Sequence, residues 1–540
     1  MKKNHKKVIQ YLLGVLLGIA VISFAFWAYK VYFVSGHKKS IAFNKTEYAV
    51  GEPVYITATG TGSDWIGIYK ESDNPRKVNP IYWYYVDDDT HDSGEPYDIK
   101  EQKSNKSRKE AFYLPEGTYK AFLLYENGYY AIDEAKMEVK GEGLPSAPVS
   151  LEYFQEQVQS GMADGKVRVE FSDQMSDITR NIVLYWADDK GKLEEYTSLA
   201  KFKVEGTVTW HQMYPHTIIP AEATRLLAYG NNEYGDSKEF AEYRLRHNSG
   251  YTLDEKSMRG SFNVVSDIHI NENGGSQEAA KHFEGALKDI EMFNKDSWGL
   301  FVVGDIADTG NANEYDKMWD IARLHGGGLP IYLAVGNHDL VLDEMKGKTV
   351  FMENAGVSTI YYEKIIQGYH FLCMGSEKAG NQAYFSEQQL KWLEDTLNSC
   401  REENSKKPVF LFVHQPLGNT VAGSLPGQGW DGVSDENDCA EKFRSILKSN
   451  PQIIMFNGHT HWDMNSEKTL HYKTEELPFV LNTASVAYLW SSYDIPEGEF
   501  LEGSQGYFVR IYEDKVIVLG RDFLVNKFIP SAMFVCDFKE

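Results

Sequence analysis

Past residue 40 the chain alternates apolar and polar positions. Val54, Ile56 and Ala58 interleave with Tyr55, Thr57 and Thr59, and a period of two puts each set on its own face of a strand. Asn127-Gly128 separates Tyr119–Tyr125 from Tyr129–Ile132, and both turn positions tolerate positive φ, which predicts a hairpin. A β-sandwich over residues 40–140 follows. Its run Ile81–Val86 holds Tyr82, Trp83, Tyr84 and Tyr85 and leads into Asp87-Asp88-Asp89. That run is a sugar platform or a cation site on one reading, and core and edge packing on the commoner one.

Gly141–Pro148 reads as a linker. Beyond it Val167, Val169 and Phe171 alternate, and Ile182–Trp186 meets a turn at Asp188-Asp189-Lys190-Gly191. Such strands predict a second all-β sandwich, of immunoglobulin or fibronectin type III style, over 148–250. From residue 258 the rhythm changes. Apolar runs at Phe262–Ser266, Leu300–Val303, Ile331–Val335, His370–Met374, Val409–Val413 and Ile453–Phe456 alternate with helical spacing such as Phe283, Leu287 and Ile290. Strands alternating with helices predict a mostly parallel sheet, whose ligands gather at the carboxyl ends of the strands. Antiparallel strands are expected at Phe479–Ala484, Tyr507–Tyr512 and Val516–Leu519, closing a domain at 258–528.

The start of the chain follows another pattern. Lys2, Lys3, Lys6 and Lys7 precede an apolar run from Val8 to Tyr29, and Lys30, Lys38 and Lys39 follow it. As a helix the run reaches about 33 Å, enough for a hydrocarbon core of about 30 Å. Residues 1–39 are therefore expected to be a cytoplasmic tail and an uncleaved signal-anchor helix (8–29), with everything after them outside the cell membrane. Secretion after cleavage near Val34-Ser35-Gly36 is the alternative.

The 540 residues hold 55 Lys and Arg against 78 Asp and Glu, a net charge of -23. This balance excludes a protein whose main task is gripping nucleic acid, and no basic cluster offers such a surface. Hydrophobic residues at 42% and aromatics at 14% exclude wholesale disorder. Cys373, Cys400, Cys439 and Cys536 show no CxxC spacing, so a zinc knuckle is not expected; free buried thiols are the reading, with disulfides open if the chain is exported.

Five polar blocks each follow one of the later apolar runs. They are Ser266-Asp267-Ile268-His269, Gly304-Asp305-Ile306-Ala307-Asp308, Gly336-Asn337-His338-Asp339, His414-Gln415-Pro416 and Gly458-His459-Thr460-His461. Each alone reads as a turn or a hydrogen-bonded strand end. Recurrence after five strands points to chemistry. His and carboxylate donors without thiolate suit Mn, Fe, Zn or Ni better than Mg or Ca.

In order, the blocks resemble the signature of the calcineurin-like metallophosphoesterases: DxH, GDxxD, GNHD, H and GHxH. The resemblance covers residues 260–525 and implies a two-sheet αββα sandwich with two divalent or trivalent transition-metal ions, Mn, Fe or Zn. It implies that Asp267, His269, Asp305 and His461 hold one ion and that Asp305, Asn337, His414 and His459 hold the other. His338 would be the acid near the leaving group and Asp339 would orient it. A sandwich before such a domain is similar to purple acid phosphatases, but those carry DxG and GDxxY, and here His269 and Asp308 stand at the differing positions. The tyrosinate ligand is absent, and Asp308 is expected behind the ligands.

The implied reaction is hydrolysis of a phosphomono- or diester by in-line attack of a metal-bridging hydroxide. Expected partners are the phosphoester, the membrane through the N-terminal helix, and cell-envelope polymer through the sandwiches. The alternative is a surface adhesion or carbohydrate-binding protein with an inert phosphoesterase-like domain.

Overall fold

The computed structural model describes residues 39–538, apart from 51–53, 61–63, 78–79, 87–96, 99–113, 115, 126–127, 141–143, 156–160, 177, 233–234, 246–249, 272–276, 466–467 and 492–498. The expected membrane helix, Asn127 of the hairpin turn and the Asp87–Asp89 run lie outside the described residues. Among the described residues no helix is long and apolar enough to cross a membrane.

The chain divides into two compact units, one running to Pro145 with Asn232–Gly235 and one holding the remainder. In the first, a five-stranded sheet orders Glu47–Ala49, Ala131–Lys140, Gly117–Leu124, Trp65–Lys70 and Tyr82–Tyr85. A three-stranded sheet of Ser40–Phe43, Tyr55–Thr59 and Tyr97–Asp98 accompanies it. Ile41, Ile56, Ile68, Leu123 and Val139 share one core between them. Gly117–Leu124 and Ala131–Lys140 pair antiparallel, as the Asn-Gly signal predicts, and Tyr125 N donates to Tyr130 O at the turn.

The second unit opens with a sandwich. Ser150–Phe154, Lys166–Glu170 and Val208–Gln212 form one sheet, and Asn181–Asp188 runs through the other. Val167, Val169, Phe171, Leu184 and Trp186 fill its core.

Two larger mixed sheets follow. One has eight strands in the order Met162–Ala163, Thr217–Ile218, Lys527–Asp537, Lys515–Asp522, Gln505–Ile511, Gly260–Val265, Leu300–Val303 and Ile331–Ala334. The other orders Tyr362–Ile366, Tyr369–Met374, Val409–Val413, Ile453–Asn457, Phe479–Asn482 and Leu470–His471. Aromatic rings interdigitate between the two sheets. Phe262 lies 4.7 Å from Phe410 and 5.1 Å from Phe371, while Phe301 stacks on Phe412 at 4.6 Å. Helices Gln277–Asn294 and Ala312–His325 cover one outer face through Phe283, Leu287, Tyr315 and Met318. Glu387–Asn404 and Cys439–Lys448 cover the other through Leu393, Leu397 and Phe443. All four cysteines are buried and free.

Three expectations need correction. The last strand runs to Asp537, past the 528 boundary, because Pro530 and Ser531 interrupt the apolar pattern that would have announced it. Phe479–Asn482 runs parallel to Ile453–Asn457, since Leu470–His471 takes the antiparallel edge. The boundary near 258 does not separate two sheets either. Thr217 of the sandwich pairs with Phe534, and Met162 and Ile218 are buried in the same core as Val265 and Phe283.

Candidate metal centre

Parallel strands of both sheets direct their carboxyl ends to one place, and every polar block follows such an end. Asp267 and His269 come after Gly260–Val265, Asp305 after Leu300–Val303, and Asn337 after Ile331–Ala334. His414 comes after Val409–Val413, and His459 and His461 after Ile453–Asn457. The backbone turns sharply at these points. Asp267, His269, Asp305, His459 and His461 have φ of 54°, 43°, 50°, 69° and 54°. Such angles are uncommon for residues with a side chain and concentrate where function over-determines the backbone. Close approach needs glycine in two neighbours. A Cβ on Gly304, at φ 86°, would stand 2.5 Å from Nδ1 of His414, and one on Gly336 would stand 2.1 Å from Oδ1 of Asp305.

Donor atoms of Asp267, His269, Asp305 and His461 lie within 4.8 Å of one another, and those of Asp305, His414 and His459 form a second such group. Asp305 belongs to both. Asn337 joins the second group, its Oδ1 3.2 Å from Nε2 of His414. All seven expected residues are thus buried in one place.

The donor chemistry fits metal ions. Nδ1 of His414 lies 2.7 Å from Val303 O and Nδ1 of His461 lies 3.1 Å from Tyr488 O. Nδ1 of His269 faces Asp308 Oδ1 at 3.3 Å. A proton held on each Nδ1 turns the three Nε2 atoms inward, the usual arrangement behind an imidazole that ligates once a metal displaces any proton on Nε2. Nε2 of His269 and of His461 are 3.2 Å apart. Asp267 Oδ1 is buried and receives no hydrogen bond, although Nε2 of His461 is 3.0 Å away. An acceptor left bare among convergent ring nitrogens suits a cation.

Electrostatics keep the carboxylates ionised. Burial would raise the Asp267 carboxyl, but His461 and His414 outweigh it and hold it at about 2. The same contest, won by His414 and His269, holds Asp305 far below the usual range. Burial and the charge of His414 push His459 down to about 3, so its imidazole is neutral.

His338 sits beside this cluster, its ring 4.6 Å from that of His269, with 38% of its side chain exposed. The expectation that Asp339 orients it is corrected. The Asp339 carboxylate accepts from Ala307 N at 3.0 Å, Gly336 N at 2.8 Å and Tyr315 Oη at 2.8 Å. It ties the Asp305 loop to the helix behind it, and among the described residues no hydrogen bond or ion pair joins it to the His338 ring. Burial and the Asp305 charge push Asp339 up to about 6. Asp308 holds His338 instead, its backbone carbonyl 2.9 Å from Nδ1 and its carboxylate 3.7 Å away.

Aromatic rings flank the cluster, and most of them were not singled out from the sequence. Tyr488 packs on His461 at 4.3 Å, and Trp430 lies 5.5 Å from His459 and 6.0 Å from His461. The loop 421–437 is thereby a wall of the site. Tyr488-Leu489-Trp490 carries a period-two aromatic pattern that would have drawn notice beside a strand-end motif. A separate group, Glu363, His370 and Cys400, lies elsewhere. There His370 is paired with Glu363 at 2.6 Å and Glu403 at 3.3 Å, which pins the edge hairpin to a helix.

A model of the calcineurin-like phosphoesterase family matches residues 260–463. That segment belongs to the calcineurin-like phosphoesterases. The chain is accordingly a metal-dependent phosphoester hydrolase. A purple acid phosphatase from yellow lupin (Lupinus luteus) seeds is 12% identical over 92% of this chain and 96% of its own, with a TM-score of 0.39. A predicted phosphoesterase from Streptococcus pneumoniae TIGR4 is 9% identical over 52% of this chain and 97% of its own, with a TM-score of 0.25. Vacuolar protein sorting 29 from Cryptosporidium parvum is 13% identical over 49% and 92%, also at 0.25. No curated protein matches the chain.

Proposed function

We propose that the chain hydrolyses phosphomono- or diesters at a pair of transition-metal ions, Mn, Fe or Zn, outside a membrane to which residues 8–29 anchor it. The observation that carries the reading is that Asp305 belongs to two donor groups at once. Asp267, His269, Asp305 and His461 would hold one ion, and Asp305, Asn337, His414 and His459 the other. A pair of ions there would offset the charge on the phosphoryl oxygens and make water a nucleophile near neutral pH. The anchor rests on the unbroken apolar run and its Lys flanks.

The chain's own groups do the rest. His338 donates from Nε2 to the leaving oxygen, because its Nδ1 proton is engaged by the Asp308 carbonyl. Trp430 and Tyr488 keep bulk water from one side of the centre, which strengthens each charge interaction inside it.

Metal analysis of residues 40–540, followed by turnover on a panel of mono- and diesters, tests the reading. Two ions per chain and hydrolysis abolished by chelation are expected. A metal-loaded protein that cleaves no phosphoester overturns it.

A further inference from the structure

We infer that Glu363, Nδ1 of His370 and Cys400 hold a zinc ion at a separate site, with Glu403 steadying the histidine from its other nitrogen.

Three elements bring these side chains together. Tyr362–Ile366 and Tyr369–Met374 pair antiparallel, with Glu363 opposite Leu372 and Ile365 opposite His370. Leu372 and Met374 pack into the core under helix Glu387–Asn404. A period of two therefore sends Glu363 and His370 toward that helix as well. On the helix Cys400 and Glu403 are three residues apart and so lie on one face. Donor atoms of Glu363, His370 and Cys400 lie within 4.8 Å of one another.

The two nitrogens of His370 are used differently. Glu363 stands 2.6 Å from Nδ1, on the side of the donor group, and Glu403 stands 3.3 Å from Nε2. A ligating imidazole almost always gives its other N–H to a carboxylate, carbonyl or water, which is the place of Glu403. Among the described residues His370 is the only ion-pair partner of either carboxylate. One imidazole cannot balance both. The apolar stripe Leu390, Leu393 and Leu397 of the helix reaches these carboxylates at Cys400, which is buried. Burial, and then the charges of Glu363 and Glu403, push the thiol up to about 12. A divalent cation there would offset the carboxylates and release the thiol proton to water.

One sulfur, one nitrogen and one oxygen make a mixed set that zinc accepts. Glu363 reaches solvent, so water can take the fourth position. The site is remote from the catalytic centre. His370 pairs with Val409, five residues before His414, or about 16 Å along the strand. With two buried protein ligands against seven, it fills after the catalytic pair.

The probe is Co2+, added to the chain already loaded with its catalytic ions. Thiolate on Co2+ gives a charge-transfer band in the near ultraviolet, and the seven donors of the catalytic centre include no sulfur. One further equivalent of Co2+ should develop the band, and Zn2+ should remove it by displacement. Cys400→Ser and His370→Gln should each lose it, and Glu403→Gln should weaken the affinity for Co2+ by about 10–100-fold. The band is read without turnover, so the result stands whether or not a phosphoester is cleaved. A wild-type chain that shows no band, or a band that survives in Cys400→Ser, overturns the inference; an unchanged affinity in Glu403→Gln overturns the part assigned to Glu403.

Discussion

The backbone carbonyl oxygen of Asp308 lies 2.9 Å from Nδ1 of His338, while the Asp308 carboxylate faces Nδ1 of His269 at 3.3 Å. A side-chain substitution removes the second contact and keeps the first. Asp308→Ala is expected to weaken metal affinity by about 10–100-fold, the usual cost of losing a carboxylate behind a ligating imidazole. The dependence of rate on leaving group should change little. Competition with a chelator and a series of aryl esters measure both; a steeper leaving-group dependence would show that the carboxylate, not the carbonyl, sets His338.

His338→Ala should leave metal content intact and lower turnover by about 10²-fold or more on alkyl esters. An activated aryl ester, whose leaving oxygen needs little protonation, should lose less. Equal losses on both would remove the acid from His338.

Asp305→Ala and Asp339→Ala should differ in an informative way. The first deletes a donor shared by both groups, so both ions and activity go together. The second leaves the donors in place but strands Ala307 N, Gly336 N and Tyr315 Oη without their acceptor. Stability should fall by about 2–4 kcal/mol by denaturant titration. A fold as stable as wild type with a changed leaving-group dependence would restore the orienting role to Asp339.

Metal uptake should depend on pH in a stated direction. Burial would lower the His414 imidazole, but the charges of Asp305 and Asp267 raise it to about 10 in the metal-free chain. A ligand needs the lone pair on Nε2, so below that pKa uptake of the ion that His414 would hold displaces one proton. Affinity should therefore rise about tenfold per pH unit between about pH 6 and about pH 9. Asp267 and Asp305 are already ionised and add no slope. A flat affinity measured by chelator competition would contradict the pairing of His414 with Asp305.

The convergence of the five polar blocks was legible in the sequence because each follows an apolar run long enough to announce a strand, and parallel strands converge at their ends; the choice of seven residues within them came from the family resemblance. Roles within a block were harder to read. His338 and Asp339 are neighbours in a tight helical turn that sends one ring toward solvent and buries the other carboxylate, and no periodicity resolves adjacent residues in such a turn. The left-handed angles of Asp267 and His461 carry no sequence signal, since only glycine and a few polar residues advertise positive φ. Two-residue strands such as Met162–Ala163 and Thr217–Ile218 are too short to show alternation, so the junction between sandwich and catalytic sheet was hidden.

That junction constrains how the protein is made. Thr217 finds its partner in Phe534, some 300 residues later, in the strand Lys527–Asp537. During synthesis the eight-stranded sheet therefore cannot close until the final strand has left the ribosome. Non-local pairings of this kind close slowly, so the newborn chain passes through a long interval with Ile218 and Met162 uncovered. In that interval it depends on whatever holds unfinished proteins apart, because exposed strand edges invite aggregation.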